Sequence, residues 1–472
     1  SVRASGIAKH GSDAQVMQSS ELWNQGGLGY PRIGTLGLGI RVAPTGEIFS
    51  SGSVFILPED SDQRLVLLGL LNSSLALALF EAHGRHRKTE TIALKDLPVL
   101  PGHLQSIQNS IESDVLKAVD AIQSLESMDE TNLLFVRPWP SSRFGSLSEY
   151  SETVYKRVLS SATSISNAIA THLGVDATNL PAPDAINWNP RVAIEEEAAR
   201  VFSYLVGVTF GRWDIRKGIS GDGTRPSTDP FASLPASPLG GMQKSSAYLS
   251  SKVQSAEKIQ VTYPIEVVKK GVIDDDASAI SSLVAKIAES MCVVWGQGAE
   301  EIEQAICAAL GVTDFGQYLR KPSCFFSDHI RRYSSNRRQA PIYWPLTTTS
   351  GNYTLWLYYP SLSSQTLYTA VNDFVEPKLK HVGDDVAALR NRGAARSRDD
   401  EKQFETLQAF ELELIELRDK LLKIAQDYQP NHDDGVQITA APLWPLFRHK
   451  PWQKVLKDTW AKLEKGDYDW AH

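Results

Sequence analysis

Residues 26–58 have the sequence GGLGYPRIGTLGLGIRVAPTGEIFSSGSVFILP, and this stretch decides the fold class of the N-terminal part of the chain. A short alternating run at 40–42 and an apolar run at 54–57 are separated by Pro-Thr-Gly and Ser-Gly-Ser. Runs of this kind, bounded by turn-forming residues, predict β-strands joined by tight turns. The glycines lack the GxGxxG spacing of a dinucleotide-binding loop, so we interpret them as turn residues of a β-rich module.

An apolar segment follows this module and predicts a helix over about 63–80. Its central sequence is LVLLGLLNSSLALALF, and the acidic residues Glu59, Asp60 and Asp62 precede it, where they favour a helix N-terminus. Because the segment is apolar nearly all round, we expect the helix to be buried within a sheet-containing domain. A basic stretch then leads into a predicted strand at 89–94.

The remainder of the chain is dominated by helical patterns. We predict helices over 104–126, 148–173, 194–210, 276–296 and 298–310, a strand-rich patch over 340–359, and a pair of long helices over 381–427. The segment 217–245 is rich in Gly, Ser and Pro and is predicted to be an exposed linker or long loop. The predicted fold class is therefore α+β and multidomain, with a small β-rich module containing a buried helix, followed by mostly helical domains. The predicted divisions are 1–103, 104–216, 217–245, 246–380 and 381–472.

Composition limits the function classes. The chain has 472 residues, a net charge of −7 and only three scattered cysteines, which do not suit a disulfide framework or a zinc site and fit a reducing cytoplasm. A protein that coats DNA without specificity is usually basic, so any DNA contact here must come from local patches. The sequence contains no run of 18 apolar residues, so no membrane span is predicted. The sequence begins at Ser1 without a signal-peptide pattern, and we expect a processed or truncated start.

Motifs for catalysis are missing from the sequence. It contains no GxxxxGK[ST] phosphate loop, no HExxH and no GxSxG nucleophile elbow. His83 and His86 are three residues apart, but no cysteine or carboxylate cluster nearby completes a metal site. We therefore predict no catalytic, cofactor-binding or metal-binding residues.

Two basic clusters are candidates for contact with nucleic acid, because arginine pairs with phosphates and guanine edges through two hydrogen bonds. The first is Arg85-His86-Arg87-Lys88. The second consists of the pairs Arg331-Arg332 and Arg337-Arg338, which flank Tyr333-Ser334-Ser335-Asn336. The alternative interpretation is a solvated or structural cluster. The sequence Lys450-Pro451-Trp452 is interpreted as a packing anchor.

An ordered series of segments resembles the C-terminal half of Eco57I-type adenine-specific DNA methyltransferases, including the PglX-like methylases of the BREX phage-defence system. The segments include YPRIGTLGLGIRVAPTGEIFSSGSVFILP, TETIALKDLPVLP, ARVFSYLVGVTFGRWDIR, FSDHIRRYSSNRRQAPIYWPLTTTSGNYTLWLYY and DDGVQITAAPLWPLFRHKPWQKVLKDTWAKLEKGDYDW. They span nearly the whole chain. The resemblance implies that 1–103 is a target-recognition module.

The resemblance also implies what the chain lacks. Methylation of adenine uses a [DNS]PP[YFW] motif that holds the flipped base, and the nearest match, Trp188-Asn189-Pro190-Arg191, has one proline and no following aromatic residue. The complete enzyme is expected to use S-adenosylmethionine through a catalytic domain in cis or in a separate subunit. The implied partners are double-stranded DNA and other defence-system proteins. No association with a membrane is expected.

The residues predicted to contact DNA are Arg32, Arg41, Arg85, His86, Arg87, Lys88, Arg331, Arg332, Arg337 and Arg338. The main alternative function is a protein-interaction scaffold of a defence complex, which would use the charged helices near 381–428. A DNA-mimicking inhibitor is disfavoured because the acidic runs Asp274-Asp275-Asp276 and Asp433-Asp434 are short. A nuclease is disfavoured because no PD-(D/E)xK arrangement is found.

Overall fold

The computed structural model describes residues 22–31, 39–47, 53–82, 101–182, 190–220, 228–242, 263–276, 279, 281–335 and 338–467. The chain forms two compact units. The first comprises Ser1–Ala193 and Asp222–Leu239, and the second comprises Ile194–Gly221 and Gly240–Trp470. Both units combine helices with small antiparallel sheets, which confirms the α+β multidomain fold class.

The first unit contains a three-stranded antiparallel sheet in the order β2-β1-β3. The strands are β1 (Gly27–Pro31), β2 (Arg41–Ala43) and β3 (Ser53–Ile56). Leu28 of the central strand lies opposite Val42 on one side and Ile56 on the other. The predicted strands at 40–42 and 54–57 are thus confirmed to within one residue, whereas the predicted strand at 89–94 lies outside the described residues.

The apolar segment forms two helices, so the prediction of one continuous helix over 63–80 was wrong. Helix α1 (Arg64–Leu71) and helix α2 (Ser74–Ala82) are bent by 69° relative to each other. At the break, the Asn72 side chain bonds to the backbone of Ile40 and Leu68, and the Ser73 hydroxyl accepts a hydrogen bond from the amide of Ala76 in the first turn of α2. These polar residues satisfy backbone groups at the helix ends, which stabilises the break.

Two long helices complete the first unit. Helix α3 (Pro101–Glu126) and helix α4 (Ser146–Leu173) are antiparallel, because Asp114 contacts Ser164 and Ser106 contacts His172. Both helices were predicted. The core of the unit joins them to the sheet and to α1, and it includes Leu28, Tyr30, Val66, Ile111, Val115, Ile165, Ile169 and Phe231.

Phe231 belongs to the segment 217–245, which was predicted to be an exposed linker or long loop. In the described part of this segment after residue 227, the ring of Phe231 is buried, and its carbonyl accepts a hydrogen bond from the amide of Thr45 at 3.0 Å. The guanidinium of Arg64 lies 4.3 Å from the centre of the same ring. A stretch rich in turn residues therefore contributes to the core of the first unit.

The second unit is built around helix α5 (Ile194–Thr209), in which every residue from Glu197 to Thr209 except Arg200 is buried. A three-stranded antiparallel sheet has the order β4-β8-β7, formed by β4 (Val272–Asp274), β7 (Tyr343–Thr347) and β8 (Thr354–Tyr358). A separate two-stranded hairpin consists of β5 (Ser334–Ser335) and β6 (Arg338–Gln339).

Among the other helices of the second unit, those over 276–296, 298–310 and 381–427 were predicted, although the first of them begins at Leu283, whereas the short helices and the C-terminal helix were not predicted. These other helices are α6 (Ile215–Ser220), α7 (Leu283–Trp295), α8 (Ala299–Leu310), α9 (Phe315–Arg320), α10 (Phe325–Arg332), α11 (Thr366–Ala370), α12 (Glu376–Asn391), α13 (Arg398–Ala425), α14 (Val436–Ala440) and α15 (Lys450–Lys465). Helices α12 and α13 confirm the predicted pair of long helices over 381–427. A capping box formed by Ser397 and Asp400 starts α13.

Membrane-spanning potential is limited in the described part of the chain. No single helix there has the length and apolar character needed to cross a bilayer; only α1 and α2 taken together, across their bend, reach that length and composition.

Candidate nucleic-acid interface

The predicted DNA-contacting residues fall into three groups. Arg331, Arg332 and Arg338 lie in the second unit at the junction between α10 and the β5–β6 hairpin. Arg41 lies in the first unit, on β2 at one edge of its sheet. Arg32, Arg85, His86, Arg87, Lys88 and Arg337 lie outside the described residues, so the first basic cluster stays a prediction.

Arg41 is exposed, and two carboxylates lie within its electrostatic reach. Burial raises the pKa of both Glu47 and Glu126, while the positive charge of Arg41 acts in the opposite direction on each. The Arg41 side chain also lies beside Gly29 on the neighbouring strand. Part of its charge is therefore balanced within the first unit.

Helix α10 forms the base of the arginine cluster in the second unit. Phe325, Phe326, His329 and Ile330 are buried on one side of this eight-residue helix. Arg331 and Arg332 occupy its last turn, where cations interact favourably with the negative end of the helix dipole. Burial of one face therefore fixes the helix in place. The two arginines of its C-terminal turn point in different directions.

Arg332 points into the protein. Its side chain is 7% exposed, and its Nη2 lies 3.2 Å from Oε1 of Glu196, in the first turn of α5. Burial acts to raise the pKa of Glu196, but the charges of Arg332 and Arg200 and their hydrogen bonds outweigh it and lower this pKa. Arg332 thus joins α10 to α5. Its role is structural, which agrees with the alternative interpretation of the cluster.

Arg331 points outward. Its side chain is 66% exposed, and its Nη2 lies 2.9 Å from Asp328 and 3.3 Å from Glu196. Exposed ion pairs of this kind contribute only about 0–1 kcal/mol to stability, so a phosphate or a base edge can replace these carboxylates at small cost. Arg331 is therefore available for a ligand in a way that Arg332 is not.

His329 ties the same helix to the central sheet. Its Nε2 accepts hydrogen bonds from the backbone amides of Ile342 (2.8 Å) and Tyr343 (3.1 Å). Burial, together with the nearby charges of Arg332 and Arg212, lowers the pKa of His329 well below its usual value. The imidazole is therefore neutral, as an acceptor at Nε2 requires, and serves as a fixed support for α10.

The β5–β6 hairpin extends directly from this base. Ser334 pairs with Gln339 and Ser335 pairs with Arg338, leaving only Asn336 and Arg337 between the strands in sequence. Arg338 is exposed and forms no ion pair with any residue in the described ranges. A hydrogen bond from the amide of Ala340 to the carbonyl of Tyr333 (3.0 Å) closes the base of the hairpin.

Tyr333 is held from two directions at this base. The Arg212 guanidinium donates a hydrogen bond to its hydroxyl, and its ring packs at 4.6 Å from the ring of His329. The junction between α10 and the hairpin is thus fixed by an ion pair, a buried imidazole and a tyrosine. Arg331, in α10, and Arg338, in β6, thus belong to two elements that meet at this junction.

A second basic surface, which was not predicted from the sequence, lies on helix α15. Trp452 is fully buried, as expected for a packing anchor, but Lys450, Lys454 and Lys457 are exposed. Their spacings of four and three residues place them on one face of the helix. The same spacing is visible in the sequence and could have revealed this face.

Two clefts near the start of α15 share Arg448 and Pro322. One has a volume of about 300 Å³ and is lined by Glu413, Glu416 and Lys420 among others. Lys420 lies 2.6 Å from Glu416, so opposite charges in this cleft already neutralise each other. In the described residues, no group of three or more histidines, cysteines and carboxylates is arranged to hold a metal ion.

Comparison with known proteins does not place the chain in a family. No family model matches it, and no curated protein is significantly similar to it.

Proposed function

We propose that this chain is the DNA target-recognition and clamping part of a site-specific DNA N6-adenine methyltransferase of the restriction-modification or phage-defence type. The methyl-transfer domain, with its S-adenosylmethionine site, is supplied in cis or by another subunit. The observation that carries the DNA-binding part of the proposal is that Arg331, in the last turn of α10, and Arg338, on β6, are both exposed, and that the buried His329 supports the helix from which the hairpin extends.

The physical argument concerns shape as well as charge. The major groove of B-DNA, about 12 Å wide, admits an α-helix or a two-stranded β-ribbon. The β5–β6 hairpin is a short two-stranded element of this kind; the exposed Arg338 lies on its second strand, and the exposed Arg331 lies in the last turn of the helix that precedes it. Arginine forms bidentate hydrogen bonds to guanine and to phosphate, each base contact contributing about 1–3 kcal/mol of discrimination. Flipping an adenine costs a few kcal/mol, so the enzyme needs such contacts to hold the duplex in register.

The test is DNA binding by the double variant R331Q/R338Q. We expect its affinity for the preferred duplex to fall about 10- to 100-fold towards the affinity for other duplexes, as loss of base contacts predicts. The matched control R390Q/R398Q removes two exposed arginines from α12 and α13 and should retain the preference. An unchanged preference in R331Q/R338Q, measured by titration against a randomised duplex library, contradicts the recognition role.

A second candidate function is a protein-interaction scaffold, and one observation favours it. Leu412 on α13 is 67% exposed, the largest value among the exposed large apolar side chains of the described residues. It lies between Glu411 and Glu413 on α13, one of the charged helices near 381–428 through which the scaffold was expected to bind its partner. Size-exclusion chromatography of the chain and of L412E with candidate partners, in the absence of DNA, separates this function from the first.

A further inference from the structure

We propose that the face of α15 carrying Lys450, Lys454 and Lys457 binds the phosphate backbone of double-stranded DNA. This inference rests on the proposed function and adds a second contact surface to it. The surface is named here the lysine face and consists of these three residues.

The lysine face is free to receive an anion. All three side chains are exposed, and none forms an ion pair with a residue that the structure describes. Lys450 Nζ lies 3.4 Å from the amide oxygen of Gln453, and Lys457 Nζ lies 5.1 Å from the centre of the Trp444 ring. Neither contact neutralises a charge. A phosphate that binds these ammonium groups therefore does not have to displace a carboxylate.

The opposite face of α15 holds the helix firmly in the second unit. Trp452 and Leu456 are fully buried, and Thr459 is bonded through its hydroxyl to Gln437 at 2.7 Å. The His449 side chain caps the first turn by accepting a hydrogen bond from the amide of Trp452. The lysines therefore project from a fixed axis, which reduces the entropy lost when they bind a regular array of charges.

Charge complementarity selects the partner. The chain as a whole has a net charge of −7, yet α15 contains five lysines and only two acidic residues, Asp458 and Glu464. Lys450 and Lys457 are seven residues apart, or about 10 Å along a helix at 1.5 Å per residue. Phosphates on one DNA strand rise by about 3.4 Å each along the duplex axis, so a helix aligned with that axis passes roughly three of these steps between Lys450 and Lys457.

The lysine face is connected to the arginine hairpin through α10. Phe326, near the start of α10, packs with its ring centre 5.6 Å from that of His449, the residue that caps α15. Arg331 stands near the other end of α10, whose eight residues extend about 12 Å, close to the width of a DNA major groove. The start of α15 is therefore linked by direct packing to the helix from which the hairpin extends.

The experiment compares two lysine variants of the full chain. K450Q/K454Q/K457Q removes the lysine face, and K380Q/K402Q/K423Q removes three exposed, unpaired lysines from α12 and α13. Lysine and glutamine have similar helix propensities, so both variants should fold, which circular dichroism and urea unfolding verify. For each protein, the association constant with a duplex of fixed length is measured as a function of salt concentration.

We expect the slope of log K against log salt to decrease in magnitude by about 2.7 in K450Q/K454Q/K457Q, since each lost phosphate contact removes about 0.9. The control should keep the slope of the unmodified chain, and the loss should be the same on all DNA sequences. Equal slopes in the two variants would overturn the inference while leaving the proposed function intact.

The other outcomes are equally decisive. Absence of DNA binding by the unmodified chain overturns the proposed function and this inference together. Poly-glutamate could instead bind to the unmodified chain and not to K450Q/K454Q/K457Q, while both proteins bind DNA equally well. That result assigns the face to an acidic protein and overturns the inference. A reduced salt slope in K450Q/K454Q/K457Q, combined with unchanged sequence preference in R331Q/R338Q, supports the lysine face and contradicts the recognition role of the hairpin.

Discussion

Arg332 and Glu196 form an ion pair that joins the last turn of α10 to the first turn of α5, with 3.2 Å between Nη2 and Oε1. The two residues are 136 positions apart in the sequence, and a further bond from Arg332 to the carbonyl of Ala199 (3.5 Å) lies beside the pair. The arginine is almost fully buried, whereas its neighbour Arg331 is two-thirds exposed. Adjacent arginines of one cluster thus have separate roles, one in stability and one at the surface.

We expect Arg332→Ala to lower the free energy of unfolding by about 2–4 kcal/mol, because it leaves the Glu196 carboxylate partly buried without its main partner. Arg331→Ala should cost less than about 1 kcal/mol, since its ion pairs are exposed. Urea unfolding monitored by tryptophan fluorescence measures both values. Equal losses for the two variants would contradict the division of roles.

The same pair shows which part of the candidate site the sequence could predict. The density of arginine over 331–338 marks a basic cluster in the sequence, but the sequence gives no sign of which guanidinium meets Glu196. That choice depends on the packing of α10 against α5, which brings distant segments together. By contrast, the lysine face follows from spacing within one helix, so it could have been predicted without tertiary information.

A similar contrast applies to the fold. In α13, part of the predicted pair of long helices, Leu414, Leu417 and Leu421 recur at the three- and four-residue spacing of a helical stripe, and all three are buried as that spacing requires. The bend between α1 and α2 was missed because apolar residues on all sides conceal a change of axis. The polar Asn72 and Ser73 marked that position, but their effect depends on Ile40, a residue on another segment.

Asn72→Ala should destabilise the first unit locally. The substitution removes the hydrogen bonds between the Asn72 amide and the backbone N–H (3.1 Å) and C=O (2.9 Å) of Ile40, and the bond to Leu68. Unpaired backbone groups in a part-buried site cost about 1–3 kcal/mol. Native-state hydrogen exchange should show loss of protection at the Ile40 amide, with the amides of α3 less affected. Asn72→Asp keeps the acceptor for this amide and should preserve more of the protection; identical exchange in both variants would argue against the assigned contacts.

Asp274, at the end of β4, makes stability depend on pH in a defined direction. Burial, reinforced by the negative charge of Asp276, raises the pKa of Asp274 to about 6, although the Tyr353 hydroxyl donates to it at 3.2 Å. The folded chain therefore binds this proton more tightly than the unfolded chain, for which the value is near 3.8. The resulting stability is fully present below about pH 4 and is lost as the pH rises through 6.

We expect Asp274→Asn to remove this loss, because an amide cannot ionise and its oxygen can still accept from Tyr353. The stability of D274N relative to the unmodified chain should increase by about 2–3 kcal/mol between pH 4 and pH 7, since each unit of pKa difference corresponds to about 1.4 kcal/mol. Asp427→Asn, an exposed replacement on the surface after α13, makes the same change of charge and serves as the control. The measurement is urea unfolding at a series of pH values. The difference in free energy of unfolding between D274N and the unmodified chain could instead stay constant across this pH range. That result would show that Asp274 does not titrate where its burial requires.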